Sequence, residues 1–132
     1  MSVHWPIIRR CLASPGRIAI VDDRRAYRAV ELLVGAMHLA DRIQACCAAP
    51  TVGILTPTSA ATPIAALAAW MLGKVAVPLN YLLARAELEY VIRDCETDTL
   101  VTVGPMLDFL GYTPAAPNLV RLDQMDTSGV PE

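Results

Sequence analysis

The chain has 132 residues, 55% of them apolar, with eleven basic and thirteen acidic side chains and a formal charge of -2. One domain fits that length, and an Ala-, Leu- and Val-rich composition of this kind excludes a disordered chain. The near balance of charge leaves no overall basic field to hold nucleic acid or an anionic membrane.

In chain order, His4 to Leu12 predicts a short helix, closed by Ser14-Pro15-Gly16. Ile18 to Val21 is rich in β-branched residues and reads as a buried strand ended by a turn at Asp22-Asp23. Arg25 to Tyr27 could form the second strand of a hairpin. From Ala29 to Ala45, Val30, Leu33, Val34, Met37 and Ile43 recur at helical spacing, widened by Leu32, Leu39 and Ala40. Thr51 to Leu55 is a short apolar strand stopped by Pro57. Ser59 is a suitable N-cap for an Ala-rich helix from Ala60 to Leu72, and Gly73 suits its C-terminal stop.

Val75 to Val77 is the next strand, ended at Pro78. Ala84 to Cys95 is helical, with Leu88, Val91 and Ile92 inward and Arg85, Glu87, Glu89 and Arg93 outward. Thr99 to Val103 reads as a strand, Met106 to Leu110 as one or two helical turns, and Asn118 to Leu122 as a last strand. Strands alternating with helices imply right-handed βαβ units, hence an α/β fold with a mainly parallel sheet flanked by helices. The expected division is a single domain over 1–122 and a polar linker or truncated end over 123–132.

Chemistry is sparse. Cys11, Cys46, Cys47 and Cys95 have no CxxC spacing, and His4 and His38 stand far apart, so a zinc site is not expected. Small buried thiols of this kind suit a reducing cytoplasm. Neither GxGxxG nor GxxxxGK[ST] occurs. Thr127-Ser128-Gly129 lies too near the end to open a helix and reads as linker. Asp22 and Asp23 read as turn formers, Glu87, Glu89 and Asp94 as a solvated face, and Trp5 and Trp70 as packing residues. No residue is assigned as catalytic, cofactor-binding or metal-ligating. Residues 1–10 have no signal-peptide h-region, and Ala60 to Gly73 is too short to span a bilayer.

Several strings, in order, resemble the start of the adenylate-forming superfamily of acyl-CoA synthetases, acyl-carrier-protein synthetases, adenylation domains and luciferases. They are Pro15-Gly16-Arg17-Ile18-Ala19-Ile20-Val21-Asp22, Tyr27 with Glu31 and Leu32, and Val52-Gly53-Ile54-Leu55-Thr56-Pro57-Thr58-Ser59. Gly73-Lys74-Val75-Ala76-Val77-Pro78-Leu79-Asn80 matches best, followed by Glu87-Leu88-Glu89-Tyr90-Val91-Ile92-Arg93-Asp94-Cys95 and Leu100-Val101-Thr102. The resemblance covers about residues 15 to 103.

It implies an N-terminal part of an ATP-dependent acid–thiol ligase, with ATP, magnesium and coenzyme A used by the longer parent and none held here. The phosphate loop would lie beyond Glu132, so the chain alone is expected to be structural and inactive. The implied partners are the parent's remaining domains, with self-association possible, no nucleic acid and no transmembrane segment. Members often read Asn-Pro-Arg where this chain has Asn80-Tyr81-Leu82, which admits a carrier-protein arm as the thiol acceptor, although Tyr81 and Leu82 read first as packing residues. Two rivals stay open: a free-standing scaffold or interaction domain without catalysis, and a doubly wound nucleotide switch lacking its Gly-rich turn.

Overall fold

A computed structural model describes residues 3–125. Its elements, in chain order, are α1 (His4–Ala13), β1 (Ile18–Val21), β2 (Ala26–Arg28), α2 (Ala29–Cys46), β3 (Thr51–Leu55) and α3 (Ala61–Met71). There follow β4 (Val75–Pro78), α4 (Arg85–Asp94), β5 (Thr99–Thr102), α5 (Gly104–Leu110) and β6 (Asn118–Arg121), with a single 3-10 turn at Leu122–Gln124. Four strands form one parallel sheet in the order β4-β3-β5-β6. The expected α/β class is what the chain adopts.

The first strand departs from expectation. Ile18–Val21 is neither buried nor part of the parallel sheet. β1 pairs antiparallel with β2 as a separate two-stranded ribbon, and Ile18 and Val21 face solvent. A short β-branched run has the same composition in a buried strand and in an exposed hairpin, and only the tight turn that follows separates them.

Strand alternation divides the core in two. Val52, Ile54, Val101 and Val120 point to one face and pack with α2, α3 and Cys11. Leu55 and Leu100 point to the other face and pack with Leu79, Leu88, Ile92 and Met106, from the segment after β4 and from α4 and α5. β3 has neighbours on both sides and is buried from Val52 to Leu55, the continuous apolar run expected of a covered parallel strand. Gly53 is its narrowest point. A Cβ there would stand 2.5 Å from Leu100 Cδ2 and 3.2 Å from Leu79 Cδ1.

α2 buries Leu32, Leu33, Leu39, Ala40 and Ile43 of the expected face, with Val34 and Met37 half-buried, and Gly35 and Ala36 complete the buried stripe against α3; of the expected positions only Val30, in the first turn, is exposed. At the far end of α3 the chain turns at Gly73, whose φ of 71° suits glycine.

At the N-terminal ends of the strands, Asp98 ties two corners together. It accepts the Ala48 N–H at 2.9 Å and the Ala49 N–H at 3.3 Å, and the Cys47 thiol donates to it at 3.2 Å. Burial works to raise the Asp98 carboxyl, but these donors and Thr99 win and hold it below the usual range. Lys74 Nζ donates to the Ala49 carbonyl at 2.6 Å, so β4 is fastened to the same corner.

Gly53→Ala should cost about 1–3 kcal/mol and Gly53→Val more, since Leu100 and Leu79 must both yield in a packed interior. Urea unfolding followed by far-UV circular dichroism measures this, and an unchanged midpoint would contradict the close approach.

Candidate functional site

In the strand order β4-β3-β5-β6, the chain leaves β3 over one face through α3 and leaves β5 over the other through α5. The connections therefore diverge at the C-terminal ends of β3 and β5, the switch point where open α/β sheets carry their ligands. A cleft of about 560 Å³ lies there. Pro57 and Ser59 line it from the loop after β3, Val103 and Pro105 from the end of β5 and the first turn of α5, and Asp22 and Tyr27 from the hairpin.

Two aspartates govern the electrostatics. Asp22 Oδ1 accepts the N–H groups of Arg24 and Arg25 at 2.9 and 3.1 Å, which makes the expected turn. Its other oxygen reaches 38 residues along the chain and accepts the Ala60 N–H at 3.0 Å. Ser59 Oγ accepts the Ala61 N–H at 3.2 Å, but α3 begins at Ala61 with Ala60 in the N-cap place, so the serine expected as the cap stands one residue ahead of it. Thr62 Oγ1 donates to the Pro57 carbonyl at 3.1 Å and shares a 2.7 Å hydrogen bond with Thr56. The N-terminus of α3 is thus occupied by the protein's own acceptors.

The other wall repeats the device. Asp123 Oδ2 accepts the Gly104 N–H at 3.1 Å, at the first residue of α5, and pairs with Arg121 at 3.1 Å. Burial pushes the Asp123 carboxyl upward, but the Arg121 guanidinium and the Gly104 N–H outweigh it and hold the group below its ordinary value. A Cβ at residue 104 would sit 2.3 Å from Arg121 Nη2 and 2.8 Å from Asp123 Oδ2, so a side chain there would have to push aside the ends of this ion pair. Arg25, which lines the same cleft, pairs with Glu31 and lies 3.9 Å from the centre of the Tyr27 ring. The cleft therefore has two helix starts already holding carboxylates, and three carboxylates, Asp22, Glu31 and Asp123, line it against the two guanidiniums of Arg24 and Arg25, which does not suit a run of phosphates.

The remaining sequence candidates scatter. Asp23 is exposed beside Asp22. His38 is half-buried on α2, while His4 lies on α1 with its ring 5.3 Å from that of Trp5. Trp5 is exposed, contrary to its reading as a packing residue, and Trp70 is half-buried. Glu89 pairs with Arg85 at 3.3 Å, as an ordinary helix-surface pair. Tyr81 meets Phe109 edge-on at 5.9 Å, and Leu82 is exposed. Thr127-Ser128-Gly129 falls outside the described residues. No group of three or more metal-ligating side chains occurs among the described residues. Sequence reasoning missed the second contact of Asp22 and both contacts of Asp123. Only the Asp22-Asp23 turn signal hinted at the first.

Comparison with known proteins extends the description. A family model described as AMP-binding enzyme matches residues 8–130. Human malonate–CoA ligase, mitochondrial by its name, is 32% identical over 112 residues, which is 80% of this chain and 19% of that protein. The mouse counterpart is 35% identical over 106 residues, 75% of this chain and 18% of that protein. The chain thus spans about a fifth of the curated relatives it matches. A benzoate CoA ligase from Burkholderia xenovorans shares the fold with a TM-score of 0.83 at 18% identity, over 99% of this chain and 29% of that one. The N-terminal domain of FACL13 from Mycobacterium tuberculosis does so with a TM-score of 0.77 at 22% identity, over 97% and 37%.

The Asp22 carboxyl is held below its usual value first by the Ala60 N–H, then by Arg24 and Arg25. Its bonds therefore stabilise the fold fully above the ordinary carboxylate pKa, and that contribution fades as pH falls through the lowered one. Asp22→Ala should lower the melting temperature at pH 7, with the gap to wild type closing below about pH 4. A gap independent of pH would show that the carboxylate is not the stabilising group.

Proposed function

The chain belongs to the AMP-binding enzyme family, and from that premise we propose that it forms the N-terminal scaffold of an ATP-dependent acid–thiol ligase. In such a ligase a carboxylic acid attacks ATP, forming a bond from carboxylate oxygen to the α-phosphorus and releasing pyrophosphate. A thiol then takes the acyl group and AMP leaves. The single observation carrying this reading is the family match over residues 8–130. The crevice at the β3/β5 switch point agrees with it.

The described residues do not fit the triphosphate. Both helix starts at the crevice already hold a carboxylate, and Arg25 is paired. We therefore derive no phosphate step from this chain, and assign ATP, magnesium and coenzyme A to the longer ligase. What these residues do is hold the β3 and β5 ends in register and fix the hairpin against α3. The identity of the acid is open. Tyr81 packs on Phe109 and residue 82 is leucine, so the loop after β4 offers no guanidinium to a CoA phosphate, and a carrier-protein arm stays open as an alternative acceptor to coenzyme A. We place the protein in a reducing compartment such as the cytoplasm; the human relative is mitochondrial by name.

Isothermal titration of magnesium-ATP into the chain should give no micromolar binding, and pyrophosphate exchange into ATP should be absent. Tight binding or measurable exchange would overturn the assignment of a scaffold role.

A further inference from the structure

The overall charge balance conceals a division. Residues 3–28 hold six arginines and two aspartates, whereas residues 29–125 hold five cations and nine carboxylates. The basic lobe is α1 with the hairpin. Along α1, Trp5, Arg9 and Leu12 are exposed at spacings of four and three, so they form one outward stripe. Trp5 is 58% exposed and Leu12 65% exposed. Arg9, Arg10 and Arg17 are exposed and form no ion pair among the described residues.

α4 carries the opposite surface. Glu87, Tyr90 and Asp94 are exposed at spacings of three and four, again one outward stripe, and Tyr90 is 62% exposed. Glu96 follows at once. Arg85 and Arg93 are exposed on α4 as well, so the helix with Glu96 holds four carboxylates against two guanidiniums and is negative only on balance; each stripe thus joins an exposed aromatic to a net charge, one positive and one negative. They cannot meet within one molecule, because α1 packs with α2 and α3 on one face of the sheet and α4 covers the other.

We propose that the α1 stripe of one copy docks on the α4 stripe of a second copy, as a head-to-tail contact. Trp and Arg are the residues that carry most binding energy in such interfaces, and Tyr90 offers an aromatic partner. Complementary charge sets the orientation and opposes α1–α1 and α4–α4 pairing. The contact is heterologous, so it grows into rings or chains and does not stop at a symmetric pair.

Sedimentation velocity on the 132-residue chain tests this. Wild type should associate with rising concentration at about 0.05 M salt and at least about tenfold more weakly at 0.5 M, where screening is shorter-ranged. A variant with Arg9→Glu and Arg10→Glu should be monomeric, and so should one with Glu87→Lys and Asp94→Lys. Mixed, the two should recover association, because each intact stripe meets its intact counterpart and the two reversed stripes are again opposite in charge. Trp5→Ala and Tyr90→Ala, which leave charge untouched, should weaken association in parallel and serve if a charge variant misfolds. A strictly monomeric wild type, association indifferent to both reversals, or a mixture that stays monomeric would overturn the proposal. So would a monomer that binds phosphatidylserine vesicles through α1, since a lipid surface would then be the occupant.

Discussion

The architecture depends on covering β3 from both sides. This strand has a partner on either flank and apolar layers above and below, so its register sets where both cores lie. Hydrophobic burial provides the force, and the absence of a side chain at Gly53 provides the space. The inward pattern of β5 follows from that of β3: Gly53 lies beside Leu100 and Ile54 beside Val101, so a slip by one residue would exchange the two cores.

With the strands so placed, the divergence of α3 and α5 at their C-terminal ends is unavoidable, and an electropositive crevice between two helix starts would be the ordinary result. Here Asp22 and Asp123 remove most of that potential. Family membership and local electrostatics thus lead to compatible conclusions from independent observations. The first names an ATP-using class, and the second shows that this segment keeps its backbone donors for its own aspartates.

Element order was legible from periodicity and punctuation, because Pro57, Gly73 and Pro78 mark real ends. Two kinds of information were not. Exposure of β1 depends on where the sheet has room, which a four-residue apolar run does not encode. The inward face of α2 was legible except at Val30, and the small residues Gly35 and Ala36, which complete that face against α3, carry no hydrophobic signal of their own. For the crevice, Asp22 was recognisable as a turn former through its neighbours two and three residues away. Its bond to Ala60, and that of Asp123 to Gly104, join segments 38 and 19 residues apart, and no local pattern signals them.

The Asp98 corner has a kinetic side. Its partners at Cys47, Ala48 and Ala49 lie 49 to 51 residues earlier, so a loop of that size must close before the carboxylate can be satisfied. Local hairpin and helix formation needs no such closure, and the corner therefore consolidates only once β5 has docked beside β3. The thiol of Cys47 changes from a solvent-accessible group to a buried hydrogen-bond donor at that same event, which makes its loss of reactivity a natural marker for the docking of β5.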